Sequence, residues 1–270
     1  MQFFIDTADI EQIKEAFSWG IMDGITTNPS LIKKAAQQYH IHDMGTYIEQ
    51  ILDIAGKMPV SLEVECCTVD DMYSQAKQLW RRFHKKNNNI VIKIPIDPSI
   101  HDDSLHFDGI KVVRKLSLEG IPTNVTLAFT PEQALLAAKA GATYISPFVG
   151  RIDDKIRSDH GISFDKHDYF PAQGYEKDGH ILEDNGIVSG VDLIDHIVTM
   201  FSQYNIDTKV LAASLRNPRQ VREVALAGAD VATIPMDTLR EMIKHAKTEQ
   251  GMENFVKDVV PEYTELLGGR

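Results

Sequence analysis

The sequence predicts an α/β fold, a single (β/α)8 TIM barrel with an additional C-terminal helix, and three observations carry that expectation. Short runs rich in Val, Ile and Thr alternate with helical stretches along the whole chain, the pattern of parallel strands joined by crossover helices. Several runs are apolar on both parities, which is how a strand reads when helices cover one face of the sheet and a packed barrel interior covers the other. The 270 residues suit one large barrel, a fold of about 200 to over 400 residues, and no linker divides them, so residues 1–270 read as one domain.

Gln2 to Asp6 forms the first strand, and Thr7-Ala8-Asp9 caps a helix to about Trp19, with Ile10, Ile13 and Phe17 near helical spacing. Gly20 ends it. The second strand, Gly24 to Asn28, enters Pro29-Ser30, a helical segment and a longer helix from about Asp43 to Ala55. Val60 to Glu65 is the third strand, followed by a helix from about Val69 to His84. The fourth, Ile90 to Ile96, is bounded by Asn87-Asn88-Asn89 and Asp97-Pro98. Asp97 to Asp108 is polar and aperiodic, a loop expected over the barrel mouth. A helix from about Phe107 to Leu118, the strand Pro122 to Ala128, an alanine-rich helix from Pro131 to Gly141 and the strand Thr143 to Val149 come next. Asp154 to about Gly186 reads as a second long loop over the same face, with room for a short strand or turn. Val188 to Gln203 is helical, Lys209 to Ser214 is the seventh strand, Pro218 to Leu226 a helix and Asp230 to Pro235 the eighth strand. Helices from about Asp237 to Lys247 and from Met252 to Leu267 finish the chain.

The fourth strand carries the chemical signal. Side chains alternate, so Val91, Lys93 and Pro95 share one face, and Ile90, Ile92, Ile94 and Ile96 share the other. Four isoleucines suit the helix-covered side, which leaves Lys93 facing the barrel interior. Burial disfavours an ammonium and favours the neutral amine that attacks a carbonyl. A lysine that snorkels to water or pairs with a carboxylate is the alternative on this strand alone.

Composition narrows the partners. The net charge of −11, from 28 basic and 39 acidic residues, supplies no general basic field for nucleic acid or an anionic membrane, and an anionic small molecule would need a local arginine cluster. No apolar run approaches the roughly 18 residues of a membrane span, and the amino terminus lacks the pattern of a secretory signal. Cys66 and Cys67 are adjacent, which suits neither a disulfide framework nor a structural zinc site, and a reducing cytoplasm is the expected location.

Polar residues on inward parity gather at the strands' carboxyl ends, where barrels of this class place their sites. They are Asp6, Thr26 and Asn28, Glu63 and Glu65 with Ser61, Asn124 and Thr126, Ser146 and Phe148, and Ser214 just before Arg216. A lysine among carboxylates is equipment for Schiff-base chemistry, which needs neither metal nor cofactor. Arg151 and Arg216, each just beyond a strand, suit a phosphate, with surface ion pairs as the alternative. Loop histidines His101, His106, His160, His167 and His180 are candidates for substrate contact, with solvent exposure the commoner state.

With these residues in view, the chain resembles the transaldolase family, in the short subfamily shared with fructose-6-phosphate aldolase. The motifs are FFIDTADIEQI, GITTNPSLI, IVIKIPI around Lys93, GIPTNVTLAFTPEQALLAAKAGATYISPFVGRIDD and VLAASLRNPRQV. The resemblance implies that Lys93 forms the Schiff base, Asp6 is the acid/base for aldol cleavage, and Glu63 works through a water. It further implies that Asn28 and Asn124 bind the dihydroxyacetone unit, that Thr126 and Ser146 supply hydroxyls around water and substrate, and that Arg151, Ser214 and Arg216 contact phosphate; Thr26, on inward parity, is a candidate substrate contact beside them. Glu63 and Phe148 are of the transaldolase type, where the family's aldolases carry glutamine and tyrosine. A ketose 6-phosphate donor and an aldose phosphate acceptor follow, with a sulfonated ketose or simple fructose-6-phosphate aldolase activity as alternatives, and a homo-oligomer is expected.

Overall fold

Eight parallel strands close into one barrel in a computed structural model that describes residues 1–87 and 89–268. Asn88, at the expected edge of the fourth strand, and the last two residues of the expected domain lie outside the described residues. In chain order the strands are β1 (Gln2–Asp6), β2 (Gly24–Thr26), β3 (Val60–Glu63), β4 (Ile90–Pro95), β5 (Thr123–Ala128), β6 (Tyr144–Pro147), a two-stranded hairpin of β7 (Glu176–Lys177) and β8 (His180–Ile181), then β9 (Lys209–Ala212) and β10 (Val231–Ile234). The barrel runs β1-β10-β9-β6-β5-β4-β3-β2 and closes on β1, with the hairpin outside it.

The helices are α1 (Ile10–Ser18), α2 (Pro29–Tyr39), α3 (Met44–Ala55), α4 (Val69–Asn87), α5 (Asp108–Leu118), α6 (Pro131–Ala140), α7 (Val149–Asp159), α8 (Gly190–Gln203), α9 (Pro218–Leu226), α10 (Met236–Met242), α11 (Ala246–Lys257) and α12 (Pro261–Leu266). Three of them begin alike. Asn28, Thr130 and Asn217 each accept a backbone N–H of the first turn, and proline follows each at the first helical position, where a missing donor costs nothing.

Two apolar layers hold the barrel. Ile5, Ile25, Ile90, Ile92, Ile94, Val125 and Ile145 point outward into the large core beneath the helices. Phe4, Val91, Tyr144, Leu211, Ala213 and Val231 pack inside, so the predicted parity of the fourth strand holds. Gly24 is required there, because a Cβ would stand 2.7 Å from the Phe4 ring.

Two boundaries differ from expectation. The second loop starts later, since α7 continues to Asp159 with Val149, Ile152 and Ile156 buried on one stripe. The hairpin of β7 and β8 lies within that loop, in keeping with the short strand or turn expected there. The two expected terminal helices are three, because Pro261 opens a new helix and disfavours helical geometry at Val260. Neither α11 nor α12 buries a residue against the barrel. Among the described residues no helix is long and apolar enough to cross a membrane.

Candidate active site

Strand register sets inward polar side chains abreast of one another. Glu63, Lys93 and Asn124 are neighbours across β3, β4 and β5, and Asp6 stands beside Thr26 across β1 and β2. Lys93 is 5% exposed, its Nζ lies 3.1 Å from Glu63 Oε2, and it donates to the Thr27 carbonyl oxygen at 3.2 Å. Lys93 is thus buried, as strand parity predicts, and it is paired with a carboxylate, the alternative raised for this strand alone.

Asp6 Oδ1 accepts from the Thr26 hydroxyl at 2.8 Å, and Thr26 in turn bonds Thr233. Burial pushes the Asp6 carboxyl above the usual range, against the Lys93 charge and the Thr26 hydrogen bond, which both favour the carboxylate. A carboxyl balanced in this way is suited to taking and returning a proton.

A chain of amide and hydroxyl groups backs the pair. Ser146 Oγ donates to Asn124 Oδ1 at 2.6 Å, and Asn124 Nδ2 donates to Ser61 Oγ at 3.1 Å. Thr126 Oγ1 is buried without a protein partner among the described residues, and a hydroxyl in that state calls for a water or a substrate oxygen. Asn28 Oδ1 is engaged as the α2 cap, accepting from Leu31 N at 3.0 Å, so its amide nitrogen is what it can offer a ligand.

Above this layer opens a cavity of about 440 Å³. Asp6, Thr26, Asn28, Lys93, Ser146, Phe148, Arg151, Ser214 and Arg216 line it. Glu63 does not line this cavity but a second one, between α2, α3 and α4. Asn124 and Thr126 lie fully buried beneath. Glu65, past the end of β3, is exposed and holds Gln75 through its backbone N–H. None of residues 97–108 lines the first cavity, and of the five loop histidines His167 alone does, next to Lys166.

Ser214 reaches the cavity by a route that alternation does not provide. Ala213 shares the inward side with Leu211, so an unbroken strand would turn Ser214 outward. Instead β9 ends at Ala212 and Ser214 adopts a left-handed φ of 60°, a conformation that costs a non-glycine residue on the order of 1 kcal/mol or more. Gly150 allows the start of α7 to approach this turn, since a Cβ there would lie 2.5 Å from the Ser214 carbonyl oxygen and 2.6 Å from Arg216 Nε.

The two arginines differ. Arg216 donates from Nη1 to Asp154 Oδ1 at 2.7 Å and from Nη2 to Asp154 Oδ2, whereas Arg151 has no ion pair among the described residues and lies 4.9 Å over the Phe148 ring. Thr233, Lys34 and Lys166 also line the cavity and are not among the residues expected from sequence. Thr233 shares parity with Val231 and was findable, whereas the loop residues carry no periodic signal. Among the described residues no group of three or more His, Cys, Asp and Glu side chains is placed to hold a metal ion.

A buried lysine ringed by carboxylates and amides at the carboxyl end of a closed (β/α)8 barrel defines a small-molecule enzyme site. The chain belongs to the transaldolase/fructose-6-phosphate aldolase family, whose model matches residues 3–266. It is 40% identical over 264 residues to a "Probable transaldolase" of Aquifex aeolicus (strain VF5), covering 97% of this chain and 99% of that one. Similar proteins of the same printed name occur in Thermodesulfovibrio yellowstonii, 43% identical over 258 residues (96% of this chain, 97% of the relative), and in Caldicellulosiruptor saccharolyticus, 44% identical over 259 residues (96% of each).

Proposed function

We propose that this enzyme is a transaldolase that moves a dihydroxyacetone unit from a ketose 6-phosphate to an aldose phosphate through a Schiff base on Lys93. The observation that carries the reading is the 3.1 Å contact between Lys93 Nζ and Glu63 on one side of a barrel interior that also holds Asp6. Glu63 takes a proton from the amine, directly or through a water that Thr126 orients, and Nζ adds to the C2 carbonyl of the donor. Loss of water leaves a protonated imine. The iminium draws electrons from the C3–C4 bond while Asp6 accepts the proton of the C4 hydroxyl, so an aldehyde departs and an enamine remains. The enamine adds to the acceptor aldehyde, Asp6 returns its proton to the new hydroxyl, and hydrolysis frees Lys93.

Asn28, Asn124 and Ser146 hold the three-carbon unit, and Arg151 and Ser214 face the anionic end, with Arg216 beside them and its two Nη atoms on Asp154. Phe148 places a ring without a hydroxyl at the cavity wall, which favours transfer to an acceptor over protonation and release. No metal or organic cofactor enters this scheme. Phosphate is the head group proposed ahead of sulfonate, because Lys34, Arg151 and Lys166 line the cavity with no ion pair among the described residues.

The direct assay supplies fructose 6-phosphate with and without an aldose phosphate acceptor. Ketose product that depends on the acceptor, with little free dihydroxyacetone, supports transaldolase. Equal release of dihydroxyacetone in both arms points to the aldolase alternative. The chain also fits a homo-oligomer, since α11 and α12 expose Met252, Phe255, Val256, Tyr263, Leu266 and Leu267 together and a patch of that kind marks an association surface. Light scattering on Phe255→Glu, read against the unaltered protein, tests this through a fall in oligomer mass.

A further inference from the structure

The segment between α7 and α8 is unused by the reaction steps, yet it is fastened to the cavity wall at several points. Arg216 Nη1 donates to the Lys166 carbonyl oxygen at 3.0 Å. His167 Nδ1 lies 3.2 Å from the Arg216 carbonyl oxygen, and since that oxygen only accepts, Nδ1 carries the proton. Arg157 Nη2 donates to the Asp168 carbonyl oxygen at 2.9 Å, with its guanidinium 4.9 Å from the ring centres of both Phe164 and Phe170. Tyr169 donates to Glu223 at 2.8 Å beneath Arg219, which lies 3.6 Å from the Tyr169 ring centre. Lys166 and His167 are therefore delivered to the cavity on a backbone already ordered, and binding there loses little conformational entropy.

Charge counting then separates the cations of the wall. Both Nη atoms of Arg216 are taken by Asp154, its side chain is 8% exposed, and its Nε is buried without a partner among the described residues. Its charge is largely met before any ligand arrives. Lys34, Arg151 and Lys166 all line the cavity with no ion pair among the described residues. Lys34 stands on α2, one turn from Gln38 and its partner Asp9, whereas Arg151 and Lys166 flank Arg216, whose Nη1 holds the Lys166 carbonyl oxygen and whose Nε lies against Gly150, the neighbour of Arg151. A phosphate monoester carries about −1.5 to −2 at neutral pH, whereas a sulfonate carries a single negative charge, so a second cation beside Arg151 matters more to the phosphate.

Building on the transaldolase reading for the existence of an anionic donor, we propose that Lys166 sets the head-group preference, joining Arg151 to hold a phosphate dianion. Arg216 is a positioning residue that holds the Lys166 segment against the barrel. This part of the wall comes from the segment between α7 and α8, and a shorter connection there would lack it.

Calorimetry on the whole enzyme with inorganic phosphate and with methanesulfonate tests this without requiring turnover. Lys166→Gln should weaken phosphate binding by about tenfold, the loss of one charge-assisted contact, and change methanesulfonate binding by much less. Lys166→Arg, which keeps the charge, should stay close to the unaltered enzyme. In turnover, the preference for fructose 6-phosphate over its 6-deoxy-6-sulfo analogue should fall in Lys166→Gln by a similar factor. Phosphate affinity unchanged in Lys166→Gln, or both anions weakened equally, overturns the assignment. Because phosphate binding needs no imine, a failed borohydride trap would remove the Schiff-base reaction and leave this result standing.

Discussion

The half of the barrel mouth built by β1 to β5 and the half built by β6, β9 and the segment after α7 obey different rules. In the first, Asp6, Glu63, Lys93 and Asn124 are placed by strand alternation and parallel register. In the second, Ser214 depends on a left-handed turn, and Arg216, in the connection before α9, is held by Asp154 of α7 and by the Lys166 carbonyl of the segment after α7. On the proposed mechanism the reacting groups sit on the strands of the barrel, and the charges proposed to select a substrate sit on its connections. That division lets one chemistry be kept while head-group contacts change.

The largest effect short of removing the nucleophile belongs to the strand-built half. Glu63→Gln keeps shape and removes the proton acceptor beside Lys93, so single-turnover imine formation should slow by about 10²- to 10⁴-fold. Donor affinity should change only a few-fold. Both rates within a few-fold of the unaltered enzyme would make Glu63 structural and erase the proposed distinction between the halves.

Arg151→Ala probes the other half and should show the opposite signature. Loss of one charge-assisted contact of about 1.5 to 3 kcal/mol raises the donor KM by roughly ten- to a hundredfold. The contact is made in ground and transition states alike, so kcat should fall less. A fall in kcat with KM unchanged would place Arg151 at the reacting centre.

Phe148→Tyr sharpens the boundary between halves, because Phe148 caps α7 and reaches the cavity edge-on to Phe129, with ring centres 5.7 Å apart. An added hydroxyl near the enamine should increase free dihydroxyacetone relative to transfer by a few-fold, about the scale of one added proton donor of imperfect placement. An unchanged partition means that the ring does not face the enamine carbon.

The smallest effect is on stability. Asp153 ties α7 to α8 and α9 through Gly190 N at 2.7 Å and Gln220 Nε2 at 2.8 Å, and burial pushes its carboxyl up to about 7 from the ordinary 3.8. Below the ordinary value both folded and unfolded chains hold the proton, and the full stability contribution is present. As pH rises toward 7 the unfolded chain releases its proton first, so this contribution is lost through that window. Asp153→Asn should therefore gain on the unaltered protein in Tm as pH rises from 5 to 8, by a few degrees in a domain of this size. A gap that is flat or moves the other way means that Asp153 is ionised in the folded protein.

Much of the strand-built half was legible beforehand. Lys93 stood out as a lone charge in IVIKIPI, and parity alone placed Asp6, Thr26, Glu63 and Asn124 in the same space. Thr233 obeyed the same rule and was overlooked. What alternation cannot report is a contact made across the chain after strands end. Nothing local in LAASLRN announces the turn at Ser214, and Arg216 stands 62 positions from Asp154 in sequence. Lys166 and His167 lie in a stretch with neither helical nor strand period, so their place at the cavity follows only from the bonds that fasten the segment. The extension of α7 to Asp159 was visible in its buried stripe of Val149, Ile152 and Ile156, which the charged residues between them concealed.

The central claim is that Lys93 is the nucleophile, and borohydride reduction in the presence of fructose 6-phosphate tests it most directly. Intact mass and peptide mapping should find one reduced three-carbon adduct per chain, on the peptide containing Lys93. Lys93→Met, which fills a similar volume without an amine, should form no adduct and show no turnover while keeping its far-ultraviolet circular dichroism. An adduct on another lysine, or one retained in Lys93→Met, would contradict the account.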